Sequence, residues 1–278
     1  MVSIASYTSG SATTSHINKN LKAQESSLGR IASGKQINKA SDNASGLAIA
    51  TQLLSDVSTL KQASTNLVQS NAVLQTADGA LEQAGNILGR MKELATQANS
   101  GSLDANSRGA INQEYQSLAS ELNGLASSTS FNGTKLVDGS YNQDFQTGKA
   151  ATDTLNVDLS SVNVSVSGLG LTPANGANAN ALSTPASAQA TSTELDTAID
   201  NISSARAQVG SLLSRGAVKS DVVDTEINST IEAESSISDA DIGREQTELS
   251  NSKLLTESSL AVASQANKMK ASLLKLVR

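Results

Sequence analysis

The most regular pattern in the chain is a leucine at every seventh position between residues 53 and 88. No proline interrupts this stretch, and small alanines recur three residues after several of the leucines. A strict seven-residue apolar repeat predicts a helix that supercoils left-handedly against a partner helix. The repeat consists of Leu53, Leu60, Leu67, Leu74, Leu81 and Leu88.

Two further helices are predicted around this one. A second seam, with alternating spacings of four and three, runs through Ile17, Leu21, Gln24, Leu28 and Ile31. The polar run 39–43 predicts a break after Gly34. The polar stretch 99–102 predicts a turn before a third helix over about 105–125. The apolar face of that helix carries Ile111, Tyr115, Leu118 and Leu122.

The C-terminal part repeats this organisation. One apolar stripe runs through Leu195, Ile199, Ile202, Val209 and Leu213. The last segment has its own seven-residue repeat, and the simplest arrangement pairs the apolar faces at the two ends of the chain with each other. The members of this last repeat are Leu255, Val262, Met269 and Leu276.

The middle of the chain has a different character. Residues 131–133 predict a turn, and 155–159 alternate between apolar and polar side chains as a half-buried strand does. Val162, Val164 and Val166 repeat that alternation. Residues 172–192 contain both prolines and are rich in Ala, Asn and Ser, so they are interpreted as a low-complexity loop.

Composition narrows the classes of function. Aromatic residues are only 2% of the chain, so aliphatic and alanine side chains must form the core. A net charge of −6 disfavours nucleic acid or an anionic membrane as a partner. No apolar run is long enough for membrane insertion, and the N-terminus lacks the pattern of a classical secretory signal.

The sequence offers no chemistry that supports catalysis. Cysteine is absent and His16 is the single histidine, so thiolate metal sites and histidine pairs are excluded. We interpret His16 as a surface residue of a helix, and we predict no catalytic residue, no metal and no cofactor. A group of carboxylates is interpreted as a solvated helix face and not as a cation site; it comprises Asp221, Asp224, Glu226, Glu232, Glu234, Asp239 and Asp241.

Several segments resemble bacterial flagellins, in the order in which that family has them. The segment 30–50, which reads RIASGKQINKASDNASGLAIA, is similar to the family signature. NAVLQTAD at 71–78 and RMKELA at 90–95 resemble the first long core helix, and SFNGTKL at 130–136 resembles the turn into its β region. The C-terminal helix is matched by ISDAD at 237–241, LAVASQAN at 260–267 and LLKLVR at 273–278.

The resemblance implies a mainly α fold: a long antiparallel helical coiled coil or bundle from both termini, with a small β-hairpin region in the middle. Residues 1–43 and 236–278 would form an inner coiled-coil domain. Residues 44–171 and 193–235 would form a rod-like helical domain with its β region at about 130–171. Only about fifty residues, at about 140–190, lie between the two parts of the chain that resemble the family, so this is a short form with little or no outer variable domain.

The resemblance also implies a structural subunit that self-assembles into the flagellar filament for motility. The chain would be exported unfolded through the flagellar type III apparatus, without a cleaved signal peptide, and polymerised at the distal tip. Its partners would be further copies of itself, an export chaperone on the C-terminal helix, and the filament cap and hook-junction proteins. We assign the self-assembly contacts to the two seven-residue repeats given above.

Host recognition is a further implication of the resemblance. In flagellins an Arg, a Leu and a Glu on the core helices contact the vertebrate Toll-like flagellin receptor. Arg90, Leu94 and Glu114 stand at the matching places. An exposed leucine flanked by Arg and Glu has the character of a binding hot spot. We nevertheless expect assembly to be the primary role of these positions.

Three alternatives remain open at this stage. A hook–filament junction protein would share the terminal helices, but the rod-helix motifs and residues 131–133 favour the filament subunit. A secreted binding or adhesion protein would use the middle region, where only Tyr141 and Phe145 offer aromatic contacts. An enzyme of the zinc-protease flagellin type would need a histidine motif that this chain lacks.

Overall fold

The computed structural model describes the backbone of residues 2–171 and 181–276, and the side chains of 12–171, 181–269 and 271–272. Within these ranges the protein is mainly helical, as predicted. The helices are α1 (Val2–Ser33), α2 (Ala44–Ala98), α3 (Ala105–Ser128), α4 (Pro185–Ser238) and α5 (Ile242–Leu276). The strands are β1 (Ser130–Phe131), β2 (Thr134–Lys135), β3 (Asn142–Gln146) and β4 (Thr154–Asp158).

The chain divides into two compact units. Unit 1 comprises residues 1–57 and 228–278, and unit 2 comprises residues 58–227. The division therefore falls inside α2 and α4, whereas the sequence prediction placed its boundaries near the turns at the ends of these helices. Long helices carry the chain across the boundary, so a change in sequence composition does not mark it.

The core of unit 2 is built on the leucine repeat of α2. The leucines at 60, 67, 74, 81 and 88 are completely buried, together with alanines between them. Helix α4 runs antiparallel to α2, because Arg206 donates to Asp78 at 3.1 Å and Lys92 pairs with Asp196. Burying aliphatic surface of this kind is the main favourable contribution to folding, at about 25 cal/mol per Å².

The turn between α2 and α3 is held by polar contacts to backbone groups. The Asp104 carboxylate accepts from the backbone N–H of Ser107 at 2.9 Å, which caps the first turn of α3. The Arg108 side chain donates to the carbonyl oxygens of Ala98 and Ser100, at 3.0 and 2.9 Å. These bonds satisfy helix-end groups that would otherwise lack partners. The predicted turn at 99–102 and the third helix are confirmed.

Two antiparallel hairpins form the β region. The β1–β2 turn has positive φ at Asn132 (49°) and Gly133 (81°), the backbone that an Asn-Gly hairpin turn requires. In β4 the predicted alternation is confirmed, because Leu155 and Val157 are buried while Asn156 is exposed. The valines at 162, 164 and 166 are also buried, but they form no strand; a single bridge joins Asp138 to Asn163.

Helix α4 begins earlier than predicted. The proposed loop 172–192 was wrong for residues 185–192, which are helical; residues 172–180 lie outside the described ranges. Thr184 caps the helix, since its hydroxyl accepts from the N–H of Ser187 at 3.1 Å and its own N–H donates to the Ser187 hydroxyl at 3.1 Å. Pro185 occupies the first helical position, where proline is favoured because no N–H is needed there.

Unit 1 contains α1 and α5 as an antiparallel pair. The turns that follow α1 and α4 are bonded to each other, because the N–H of Gln36 donates to Ser238 O at 2.7 Å and the N–H of Ala240 donates to Gly34 O at 2.9 Å. Asp241 caps α5 by accepting from the N–H of Arg244 at 3.1 Å. None of the helices in the described ranges combines the length and the apolar character needed to cross a membrane.

Candidate assembly surface

The face that α1 and α5 turn toward each other is mostly polar or small. The less exposed positions on each helix alternate with spacings of four and three, which is the pattern of a coiled-coil seam. The side chains at these positions are not the large apolar ones that usually fill such a seam. They are Thr13, Ile17, Asn20, Gln24, Ser27 and Ile31 on α1, and Glu245, Leu249, Ser252, Thr256, Ser259, Ala263 and Ala266 on α5.

Hydrogen bonds across this seam replace much of the apolar packing. The Gln24 side-chain amide donates to Ser252 O at 3.0 Å and to Thr256 Oγ1 at 2.6 Å. Arg30 donates to the Glu245 carboxylate at 3.1 Å, and the Glu245 side chain is only 1% exposed. A polar group inside a seam of this kind fixes the register of two helices at the expense of stability.

The large apolar side chains of the same helices point away from the seam. Leu255, Val262 and Met269 are 56%, 58% and 55% exposed, although they are neighbours in sequence of the seam positions. The prediction that this repeat pairs with α1 within one chain was therefore wrong for these three residues; the side chain of Leu276 lies outside the described residues. Two seven-residue repeats lie side by side on α5, and spacing alone does not tell which of them faces α1.

We call the exposed large apolar residues of α1 and α5 the outward apolar rows. The α1 members come from the predicted N-terminal stripe, which the structure splits: Ile17, Gln24 and Ile31 face α5, whereas the two leucines face outward. Isolated exposed leucines are common, but several large exposed apolar side chains on one helical pair indicate an interaction surface. The rows are formed by Leu21, Leu28, Ile242, Leu254, Leu255, Leu260, Val262 and Met269.

The leucine repeat of α2 has the opposite placement. Five of its members are completely buried within the chain, and Leu53 is half-buried. These five side chains offer no surface to a second subunit, so they belong to the fold of the subunit itself. Of the two repeats that were assigned to assembly, only the one on α5 presents exposed side chains.

A second ion pair was missed by the sequence interpretation. Glu234 was grouped with solvated carboxylates, but it is buried and accepts from Lys35 Nζ at 3.0 Å. Its partner lies in the turn after α1, far away in sequence, and no local pattern indicates such a contact. Among the described residues no group of carboxylates or histidines has the arrangement of a metal site. His16 is exposed on α1, as predicted.

The residues predicted for receptor contact are only partly available at the surface. Arg90 donates to Glu114 from Nη2 at 2.7 Å and to Glu93 from Nη1 at 2.9 Å, and hydrogen bonds to Glu114 and then Glu93 raise the pKa of this guanidinium. Leu94, however, is 1% exposed, so the prediction of an exposed leucine was wrong. It lies on the buried face of α2, where it packs in the core of unit 2.

Comparison with known proteins agrees with this architecture. Residues 4–142 match the family model of the bacterial flagellin N-terminal helical region, and residues 193–277 match that of the bacterial flagellin C-terminal helical region. The chain belongs to the bacterial flagellin family. A flagellin of Listeria monocytogenes is 34% identical over 275 residues, which cover 95% of this chain and 96% of the relative.

Other relatives of this flagellin carry similar names. The flagellar filament 30.7 kDa core protein of Treponema maltophilum is 27% identical over 261 residues, covering 91% of this chain and 92% of the relative. Among solved structures, that of Bacillus cereus flagellin is 31% identical and covers 60% of this chain and 88% of that one, with a TM-score of 0.48. Flagellins are a family of structural proteins that form the extracellular flagellar filament, and this chain is a structural subunit of that filament.

Proposed function

We propose that this flagellin polymerises by burying the outward apolar rows of α1 and α5 against neighbouring copies. The observation that carries the proposal is the exposure of Leu255, Val262 and Met269, each more than half exposed on one helix. Fully burying such a side chain contributes roughly 1.5–3 kcal/mol relative to leaving it in water, and somewhat more than half of this remains to be gained at each of the three. A row of them therefore supplies most of the free energy that a stable contact between subunits needs.

The polar seam explains why neighbours are needed. Within unit 1 the facing positions of α1 and α5 are mostly Ser, Thr, Asn, Gln and Ala, so the two helices gain little hydrophobic stabilisation from each other. Helices without such stabilisation are marginal in water. Ordering of the two ends is then coupled to polymerisation, as in other chains that fold on binding.

Repetition of one contact produces the filament. If the apolar row of one copy meets a different surface of the next, the contact is head-to-tail and does not close on itself. Such contacts generate an open helical polymer and not a ring or a dimer. Growth then adds copies at one end, which we place at the distal tip beneath the cap proteins, with the hook-junction proteins at the other end.

Export and its partners belong to the same proposal. The chain leaves the cell unfolded through the flagellar type III apparatus and without a cleaved signal peptide, as its family membership supports. The apolar row of α5 would be a hazard before export, because exposed apolar patches promote association. A cytosolic export chaperone that covers α5 removes that hazard. For the Toll-like flagellin receptor, the exposed pair Arg90 and Glu114 is the contact we propose.

Substitution within the row tests the proposal. A Leu255→Ser, Val262→Ser double variant removes two apolar side chains without touching the seam. Purified subunits would be seeded with filament fragments and followed by sedimentation and electron microscopy. We expect the double variant to remain unpolymerised at concentrations where the native chain forms filaments, with the circular dichroism of the monomer unchanged.

The matched control is Val68→Ser on α2, because Val68 is 63% exposed but lies outside the rows. This variant should polymerise nearly as the native chain does. Filaments of the double variant at the native critical concentration would contradict the proposal. A secreted monomeric binder, which the names of the relatives do not favour, would show no seeded polymerisation even for the native chain.

A further inference from the structure

The three methionines of the chain are placed very differently. Met91 is completely buried in the core of unit 2, whereas Met269 is 55% exposed in the apolar row of α5. Met1 lies outside the described residues. Because the chain contains no cysteine, no thiol competes for oxidants, and the methionine thioethers are its most oxidisable groups. Exposure therefore makes Met269 far more reactive than Met91.

We propose that Met269 is an oxidation-sensitive site at which conversion to the sulfoxide blocks polymerisation of the free subunit. The oxidant is a peroxide such as hydrogen peroxide. The thioether sulfur attacks one peroxide oxygen, the O–O bond breaks, and a sulfur–oxygen bond forms. Sulfur loses two electrons and the peroxide is reduced to water. Methionine sulfoxide reductases reverse the change, so the block is reversible.

The chemistry of the row explains the effect on assembly, and this step rests on the proposed burial of that row. Oxidation converts a flexible apolar side chain into a polar one with a strong acceptor oxygen. The neighbouring members of the row, Val262 and Leu255, have no side-chain donor to satisfy that oxygen. Burying an unsatisfied polar group costs free energy, so each oxidised subunit would bind the polymer more weakly.

The same geometry predicts when the site reacts. In the free subunit more than half of Met269 is open to solvent, so peroxide reaches the sulfur. In the polymer the row is covered by a neighbouring copy, and the reaction slows. Oxidation thus selects subunits that have not yet been incorporated, and completed filament is protected.

The experiment oxidises purified native subunits with dilute hydrogen peroxide until about one oxygen is added per chain, and locates it by peptide mass spectrometry. We expect Met269 to react at least about tenfold faster than Met91, as its exposure predicts. In seeded polymerisation the critical concentration should rise about tenfold, the change that 1.4 kcal/mol produces. Treatment with methionine sulfoxide reductase should restore it.

Two variants locate the effect. Met269→Leu keeps the apolar side chain and should polymerise before and after peroxide treatment. Met91→Leu is the matched control and should lose polymerisation after treatment, as the native chain does. Equal loss of polymerisation by oxidised Met269→Leu would overturn the proposal, and so would native-like polymerisation of the untreated polar variant Met269→Gln.

The proposed function has its own readout in this experiment. If the row is buried between copies, peroxide should oxidise Met269 much more slowly in filaments than in free subunits. Equal rates in the two states would contradict the burial of the row. A different outcome would contradict the oxidation proposal alone: a critical concentration that does not change when Met269 is oxidised.

Discussion

Gln24 on α1 and Thr256 on α5 are joined by a hydrogen bond of 2.6 Å between the glutamine amide and the threonine hydroxyl. The same amide also donates to Ser252 O, one turn away on α5. A side chain that bonds two consecutive turns of the opposite helix specifies one axial position and disfavours a shift by a full repeat. In a seam with few large apolar groups, this contact sets the register.

We therefore predict that Gln24→Ala weakens the ordered state of α1 and α5. A hydrogen bond of this type contributes about 1 kcal/mol, and the Thr256 hydroxyl keeps only its donation to Ser252 O at 2.8 Å. The temperature at which filaments depolymerise should fall, and amide exchange in α1 should increase. Gln75→Ala, at an exposed position of α2, is the control and should change neither. A native depolymerisation temperature in Gln24→Ala would count against the role of Gln24.

The Arg30–Glu245 ion pair of unit 1 should contribute more to stability than the Arg90–Glu114 ion pair of unit 2. Arg30→Ala leaves the Glu245 carboxylate buried without its cation. Such a change typically lowers the free energy of unfolding by about 3–5 kcal/mol. Arg90→Ala breaks a pair whose side chains are about half exposed and should have little effect on stability. Amide exchange and thermal melting of the filaments measure both.

A double variant separates charge burial from loss of packing. Arg30→Leu combined with Glu245→Leu removes both charges, so it should be much more stable than Arg30→Ala. If the double variant were no better than Arg30→Ala, the cost would come from lost contacts and not from the unpaired carboxylate.

Two glycines of α4 should respond to alanine by different amounts. Gly210 has open space where a Cβ would lie, so Gly210→Ala should stabilise unit 2 by about 0.5–1 kcal/mol. At Gly216 the new Cβ would stand 2.4 Å from Asn71 Oδ1, so the Asn71 side chain must rotate away and Gly216→Ala should stabilise unit 2 less than Gly210→Ala does. Denaturant unfolding of the soluble subunit measures both changes. In the background of Asn71→Ala, Gly216→Ala should stabilise unit 2 as much as Gly210→Ala does, and an effect unchanged by Asn71→Ala would refute a direct contact.

The N-cap of α3 gives a dependence on pH. Hydrogen bonds from the Ser107 hydroxyl and backbone N–H hold the pKa of Asp104 below its ordinary value of 3.8. A depressed pKa stabilises the folded state above the ordinary value, and this contribution is lost as the pH falls through the folded pKa. Asp104→Asn keeps an uncharged acceptor at every pH. Its stability, from denaturant unfolding at neutral pH and about pH 3, should therefore change less than that of the native chain.

The placement of the leucine repeat of α2 could be predicted from sequence because periodicity reports which side chains share a face. Leu60 and Leu88 are buried as the repeat implies. Periodicity does not report what covers a face, and the α5 repeat shows this limit. Leu255 has the same spacing but points outward, because the polar neighbours Ser252 and Thr256 bond to Gln24 and take the inner position.

Local sequence signals are ambiguous for Pro185 and Glu234. Proline is common in loops, but Pro185 follows the capping residue Thr184 and begins helix α4. Glu234 appeared to be one of several surface carboxylates, and only the distant Lys35 explains its burial. Contacts between residues so far apart in sequence have no local pattern that could reveal them.

The polar seam between α1 and α5 has a consequence for where polymer can begin. Since the two helices stabilise each other weakly, the free energy that orders them depends on how many other copies are already in place, and so on concentration. A chain released into dilute surroundings has no surface to fold against, whereas an existing end offers a complete one. On the proposed function, new polymer would rarely be seeded in the medium, and added subunits would lengthen filaments that already exist.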